Sequence, residues 1–185
     1  MPHQFTTSYV KDSIDLFRYY KKLAERAMAQ CSDEDLFAVI DAESNSIAII
    51  VKHMAGNMRS RWMDFLTTDG EKPDRNRDTE FEDAPKTRAA LMELWECGWK
   101  YVFDALEPLM EADLGHTVTI RTEPHSVMQA INRQVAHYSH HIGQIVFLAK
   151  HLTTKAKGKW DSLSLPRGQS TQFAADVAAG LKSQR

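Results

Sequence analysis

The sequence predicts an all-α protein whose fold is a four-helix bundle. Apolar residues recur at helical spacing in four long stretches, which cover residues 8–30, 44–66, 86–106 and 125–152. Only the short run HTVTIR alternates as a strand would, and it is too short to found a sheet. Hydrophobic residues make up 43% of the 185 residues, which is enough for one sizeable core. We therefore expect a single domain, with the bundle over 8–152 and a tail over 153–185.

The first two helices are separated by a short connection over residues 31–42. Ser32 followed by Asp35 resembles a weak N-cap pattern there and predicts a short helical turn. The second long helix is the clearest amphipathic one, and Ser44 or Asn45 is its predicted N-cap. Its histidine, His53, lies near the middle of the helix.

The third and fourth helices follow a polar loop of nearly twenty residues, 67–85. This loop has no periodicity, and loops of that length are often functional lids or disordered segments. The last long helix is predicted to open near Pro124, since proline is favoured in a first helical turn. Beyond it we expect Trp160 to fold back over the bundle and residues 170–183 to form a marginal helix.

Composition and charge argue against nucleic-acid and membrane partners. The formal net charge is −2, so no basic excess is available to neutralise phosphates. No stretch approaches the about 18 apolar residues of a membrane span, and the opening MPHQFTTSYVKDSIDLF lacks a signal-peptide pattern. Two cysteines, Cys31 and Cys97, fit a reducing compartment better than a disulfide framework. We expect a cytoplasmic protein that acts on a small-molecule substrate.

The stretch AHYSHHIGQI places three histidines on the last long helix. His137 and His141 are four residues apart, so they share a face and can converge on one ion at Zn–N distances of about 2.0–2.1 Å. His140 points about 100° away from His141. The spacing alone leaves metal ligands and ordinary helix histidines both open, the latter being more frequent. The glutamate of HExxH is missing, which excludes a zincin-type protease.

A metal site needs a third protein ligand, and His53 in AIIVKHMAGN is the candidate. A lone histidine among apolar residues is more often part of the core. The same helix face, however, carries polar residues at Asn45, Ser46 and Asn57. Buried polar groups cost free energy unless they find partners, which a hydrated metal pocket would supply. We therefore expect Asn45 and Asn57 to support a ligand or to line the pocket.

These residues together resemble the DinB/YfiT-like superfamily. The resemblance rests on His53, on His137 and His141, and on the Gly143–Gln144 pair, and it runs through most of the chain. The stretches GNMRSRWMDFLTTDGEKPDRNRD and WDSLSLPRGQS are similar to one branch, labelled as a domain of unknown function. The resemblance implies a DinB-like four-helix bundle, a homodimer, and one divalent metal, zinc or nickel, held by the three histidines. Some related families transfer or isomerise low-molecular-weight thiols.

Two functions follow from this reading. The first is a metal-dependent transferase that activates a small thiol at an open fourth position, or a hydrolase that activates water there. The alternative is a non-catalytic, dimeric metal-binding or stress-related binding protein. No convincing general base is present, because Glu43 and Asp64 are expected at the surface. Gln144, three residues after His141, is predicted to orient an imidazole by a hydrogen bond.

Arginines surround the polar loop, at Arg59, Arg61, Arg75, Arg77 and Arg88. Guanidinium groups bind carboxylates or phosphates at two points, which would suit an acidic small molecule such as a thiol that carries carboxylates. Arg59 is the best candidate for substrate binding. The loop also contains many acidic residues, and a mixed charge run is more often a solvated face with internal ion pairs.

Overall fold

The protein is mostly helical, as a computed structural model of residues 8–183 shows. The helices in this range are α1 (Tyr9–Met28), α2 (Asp33–Phe37), α3 (Ile47–Trp62), α4 (Arg88–Leu106), α5 (Val127–Lys157) and α6 (Ser170–Ala178). Two strands, β1 (Thr117–Ile120) and β2 (Glu123–Ser126), pair antiparallel, and short 3-10 helices cover Asp78–Phe81 and Glu111–Gly115. The prediction of a mostly helical protein is confirmed. Residues 1–7, part of the stretch without a signal-peptide pattern, and tail residues 184–185 lie outside the described residues.

The beginning of α3, the helix that carries His53, is set by a serine cap. The Oγ atom of Ser46 accepts a hydrogen bond from the backbone N–H of Ile49 at 3.2 Å. The predicted cap at Ser44 or Asn45 is therefore wrong, because both residues lie in the connection before the helix. In contrast, the predicted helical turn after Ser32 is confirmed as α2, which a capping box opens.

A β-hairpin leads into α5. The run HTVTIR supplies β1, and the segment EPHS pairs with it as β2, so the expectation that no sheet would form is wrong. Pro124 lies in β2 and does not open the helix. Instead, the Oγ atom of Ser126 accepts from the backbone N–H of Gln129 at 3.1 Å, while the Gln129 side chain accepts from the backbone N–H of Ser126.

Aromatic residues join the four long helices at the centre of the core. Helix α1 contacts α5 and α4, and α3 contacts α4 and α5. Phe17 of α1 is fully buried, and its ring centroid lies 5.6 Å from that of Tyr138 on α5. The ring centroids of Trp62 on α3 and Trp99 on α4 lie 6.2 Å and 6.3 Å from that of Phe17. This cluster fixes the spacing of the helices that carry the histidines.

The polar connection over residues 67–85 is attached to its surroundings by hydrogen bonds to its own backbone atoms. The N–H of Gly70 donates to the carbonyl oxygen of Thr119 in β1 at 2.7 Å. The ammonium group of Lys52 on α3 donates to the carbonyl oxygen of Glu82 at 2.6 Å. The predicted loop is thus held against both the hairpin and α3, and a 3-10 helix forms within it. We call residues 67–85 the anchored segment below.

The tail folds back towards α1. Helix α5 extends to Lys157, so the tail begins later than the predicted residue 153. Arg26 of α1 donates from Nη1 to the carbonyl oxygen of Leu163 at 2.7 Å, and Trp160 packs against the core, as expected. The predicted final helix is present as α6.

The two cysteines lie in different environments, and neither forms a disulfide. Cys31 is buried and Cys97 is exposed, and both are free thiols. Within residues 8–183, no helix combines the length and the apolar character that crossing a bilayer requires.

Candidate metal centre

Three histidines from two helices meet at one point beside the anchored segment. His53 comes from α3, and His137 and His141 lie one turn apart on α5. The Nε2 atom of His137 lies 3.5 Å from that of His53 and 3.1 Å from that of His141. One ring nitrogen of each histidine falls within 4.8 Å of the other two. The structure therefore brings together all three residues that the sequence predicted as ligands.

The spacing of these nitrogens suits a divalent metal. In a tetrahedral site with metal–nitrogen bonds of about 2.0–2.1 Å, neighbouring nitrogens lie about 3.3–3.4 Å apart. The two Nε2 separations in this group, 3.5 Å and 3.1 Å, lie on either side of that value. Imidazole nitrogen is a ligand that zinc and nickel both accept.

Hydrogen bonds on the outer ring nitrogens determine which nitrogens face the centre without a proton. His53 donates from Nδ1 to Glu80 Oε2 at 2.9 Å, and His141 donates from Nδ1 to Gln144 Oε1 at 2.8 Å. Each of these two rings therefore presents an Nε2 lone pair to the centre. A proton on His137 Nε2 could be donated to only one of these two lone pairs. A cation could instead accept the Nε2 lone pairs of all three histidines. The residues present thus fit a metal ion.

Burial keeps the two α5 imidazoles neutral, which is the form that binds metal. Desolvation lowers the pKa of His137 from 6.5 to about 3, and the neighbouring His141 and His53 add to the shift. Desolvation also lowers the pKa of His141 to about 4, although its hydrogen bond to Gln144 opposes the shift. Both rings are consequently uncharged near neutral pH, so a second proton competes only weakly with a metal ion for the free ring nitrogen.

Acid should destabilise the metal-free protein between about pH 6.5 and pH 4. In the unfolded chain both rings have a pKa near 6.5, whereas in the folded protein these values are about 3 for His137 and about 4 for His141. As the pH falls below 6.5, these two histidines bind protons in the unfolded chain but not in the folded protein, so the free energy of unfolding decreases. Urea unfolding in the presence of a chelator, repeated from pH 7 to pH 4, measures this slope.

The matched variant for that pH series is His137→Gln, which removes one of the two suppressed titrations. Its free energy of unfolding should fall less steeply with acid than that of the wild type. An identical slope in the two proteins would contradict the assignment of the acid sensitivity to these buried rings.

Glu80, which sequence reasoning missed, orients His53 from the anchored segment. Its side chain is buried, and Arg75 donates to it from Nε at 2.7 Å and from Nη2 at 2.9 Å. Burial opposes ionisation, but the hydrogen bonds from His53 and Arg75 outweigh it, so the pKa of Glu80 lies below its usual value. The 67–85 run has no periodicity, so nothing in the sequence distinguishes Glu80 from the other acids there.

Two neighbours define the position of Glu80 and His53 further. A Cβ atom at Gly56 on α3 would collide with the Glu80 carboxylate, so glycine permits this close approach. The ring of Phe81 stacks on the ring of His53, with centroids 4.6 Å apart and planes 27° apart. The imidazole is therefore held on its edge by a carboxylate and on its face by an aromatic ring.

The histidine group opens onto a cavity of about 580 Å³. Besides the three histidines, Asn57, Gln134 and His140 contribute to the wall. The remaining lining is rich in arginine, with Arg61, Arg75, Arg77, Arg121 and Arg133. No carboxylate belongs to the lining formed by residues 8–183. The volume is in the range of small-molecule sites.

The other predicted site residues are placed as follows. Asn57 is buried in the cavity wall, where its Oδ1 accepts from the hydroxyl of Tyr138 at 3.2 Å. Gln144 bonds to His141, as its predicted role requires. Asn45 is exposed and lines a separate cavity. Arg59 donates to Asp74 at 2.6 Å and is not part of the arginine-rich wall.

The fold and this group define a helical protein with three histidines that could hold a metal ion. Within that class, the chain belongs to the family described as "Protein of unknown function (DUF1572)", whose profile matches residues 4–169. The prediction of a domain of unknown function is thereby confirmed, while membership of the DinB/YfiT-like superfamily stays a prediction. No curated protein and no solved structure matches the chain.

Proposed function

We propose that this protein binds one divalent metal ion through His53, His137 and His141 and uses it to activate a small molecule in the adjoining cavity. The observation that carries the proposal is the convergence of the three Nε2 atoms. Two of them carry no proton, because Glu80 and Gln144 hold the ring proton of His53 and of His141 on Nδ1. The group contains no fourth protein ligand from residues 8–183. Three protein ligands beside an open position are typical of catalytic rather than structural zinc.

The proposal includes a DinB-like four-helix bundle. The contacts α1–α5, α5–α3, α3–α4 and α4–α1 form a closed ring of neighbours, as the helices of such a bundle do. This ring, together with the histidine positions, supports the predicted superfamily. The homodimer, the choice of zinc or nickel, and the cytoplasmic location enter the proposal from the sequence and the resemblance alone.

The reaction proposed is a substitution in which a small thiol loses its proton to water and its sulfur bonds to an electrophilic carbon, while the leaving group departs with the electron pair of the broken bond. A bound divalent ion would lower the pKa of a thiol or of water. Glu80 and Gln144 hold a proton on the outer nitrogen of His53 and His141 and so keep the inner nitrogens available. The described lining has no carboxylate, and His140 is its one imidazole outside the ligand group. A thiol, which loses its proton more easily than water, suits such a wall better.

Metal content tests the site directly. Protein prepared without an affinity tag and then dialysed against zinc or nickel should retain about one equivalent, because three imidazoles make one site. His53→Ala and His137→Ala should each lose that metal, as measured by elemental analysis. His151→Ala is the matched control, since His151 is exposed on the same helix as His137 and lies outside the group.

The outcomes separate the candidate functions. Failure of the wild type to retain zinc, nickel or manganese, or an equal loss in His151→Ala, would overturn the metal site. Metal retention with turnover of a thiol and a model electrophile, lost in His137→Ala, supports the transferase. Metal retention without turnover of any thiol tried would favour the non-catalytic metal-binding protein instead.

A further inference from the structure

The wall of the cavity that faces the histidines carries an excess of positive charge. Five guanidinium groups line it, whereas two carboxylates, Glu71 and Glu80, bind them at close range. Glu71 alone is shared by Arg61, Arg75 and Arg121. Like charges gathered in one cavity repel one another, and an anion bound there would reduce that repulsion.

Two of the five arginines have little or no partner within the described chain. Arg133 lines the cavity, and its side chain forms no ion pair and no hydrogen bond to another described residue. Arg77 approaches Asp78 only to 3.9 Å, and that carboxylate is almost fully exposed. Arg77 instead lies over the ring of Phe81 at 5.0 Å, and Phe81 stacks on His53. These two guanidinium groups are available to a ligand at the mouth of the histidine group.

A third arginine of the wall, Arg61, is buried and is held by groups of the protein itself. Arg61 is 6% exposed, and its Nε atom is buried without a hydrogen-bond partner among the described residues. Its other nitrogens bind Glu71 and the carbonyl oxygen of Gly70. Because the Nε atom is not exposed to the cavity, Arg61 adds positive charge to the wall but offers a ligand no direct contact through that atom.

The arginines come from separate parts of the chain and meet only in the folded protein. Arg133 precedes His137 by one turn on α5, Arg121 lies in the turn of the hairpin, and Arg77 lies in the anchored segment. Acids of the anchored segment pair with Arg61, Arg75 and Arg121, but among the described residues no ion pair reaches Arg133. The acidic run therefore neutralises only part of the positive charge that the fold brings to the cavity.

We propose that the cavity binds a small molecule through an oxyanion group, a carboxylate or a phosphate, held by Arg77 and Arg133 with its reactive end towards the three histidines. This inference rests on the proposed function for the direction in which the molecule lies, but the anion site itself needs no metal. Forked guanidinium groups match the planar carboxylate and the phosphate equally, so the structure assigns their shared chemistry. A neutral analogue of the same size should bind poorly.

Calorimetric titration of the metal-free protein tests the anion site separately from the metal. The probes are phenyl phosphate, phenylsuccinate and, as a neutral molecule of the same size as phenylsuccinate, its diamide phenylsuccinamide. At least one of the two anions should bind, the diamide should not, and the anion that binds more tightly identifies the preferred oxyanion. Arg133→Gln and Arg77→Gln should each weaken that binding by about 10-fold, the effect of losing one charge-assisted hydrogen bond.

Lys150→Gln is the control with the same change of charge, because Lys150 is exposed on α5 and lines a different cavity. An equal loss of binding in Lys150→Gln would show diffuse electrostatic attraction and overturn the site. Failure of both anions to bind would also overturn it. The zinc content of Arg133→Gln, measured in parallel, should equal that of the wild type. Anion binding without zinc binding would therefore refute the proposed function while leaving the anion site standing.

Discussion

Glu80→Ala should lower the affinity of the protein for Zn²⁺ by about 10- to 100-fold, the usual effect of removing a group that orients a ligating histidine. The carboxylate holds the Nδ1 proton of His53, which keeps the Nε2 lone pair directed at the centre and makes it a stronger donor. Without Glu80 the imidazole can rotate or change tautomer. Competition with a chromophoric chelator at pH 7 measures the affinity.

Glu82→Ala is the matched control for Glu80→Ala, because Glu82 lies in the same segment and its side chain is exposed. Its contact with Lys52 uses the backbone carbonyl, which the substitution retains. A Glu80→Gln variant separates charge from shape, since the amide oxygen can still accept from His53. Wild-type affinity in Glu80→Ala, or an equal drop in Glu82→Ala, would contradict the assigned role.

Phe17→Ala should lower the free energy of unfolding by about 3–5 kcal/mol, the range for a buried phenylalanine replaced by alanine. The ring is fully buried among aromatic side chains from the other three long helices, so its removal leaves a cavity that several rings must share. Urea denaturation followed by circular dichroism measures the change, with the metal removed so that binding does not add to the stability.

The control for the core is Phe147→Ala, since Phe147 is 64% exposed on α5. That substitution should change the free energy of unfolding by less than about 0.5 kcal/mol, as for most surface positions. A loss below about 1 kcal/mol in Phe17→Ala would mean that the aromatic cluster collapses around the gap and does not set the helix spacing.

Periodicity sufficed to predict the long helices and, with the resemblance, the three histidines that the fold brings together. A residue on a helix is placed by its own neighbours in sequence, so the i and i+4 positions of His137 and His141 carry directly into space. Helix ends were less certain, because Ser44, Asn45 and Ser46 can all cap. Which of them does so depends on packing of the preceding chain, and that is not a local property.

The hairpin and the support of His53 lay beyond sequence reasoning for a different reason. The strand EPHS has no alternating pattern and contains Pro124, so nothing local marks it as a partner for β1. Glu80 reaches His53 only because bonds such as those from Lys52 and to Thr119 attach its segment to α3 and the hairpin. Such long-range attachments decide where an aperiodic segment lies.

The arginine contacts also divide into those that neighbours in sequence predict and those that depend on the fold. Sequence reasoning favoured pairing between the arginines of the loop and the acids beside them, and Arg59 with Asp74 does form such a pair. Arg121 and Arg133, which are distant from the loop in sequence, could not be connected with it before the fold was known. Excess charge in a cavity is visible only when all of its walls are counted.

The contact of Glu80 with α3 limits how this centre could be moved into another scaffold. A designer who grafts the three histidines onto two helices would copy the ligands but not the carboxylate that aligns one of them. Glu80 is itself paired with Arg75, whose side chain is 4% exposed. A graft that retained Arg75 without the Glu80 carboxylate would leave a buried charge less well paired. Gly56 must come as well, to leave room for the carboxylate. The smallest transferable unit is therefore the faces of α3 and α5 together with the anchored segment that follows α3.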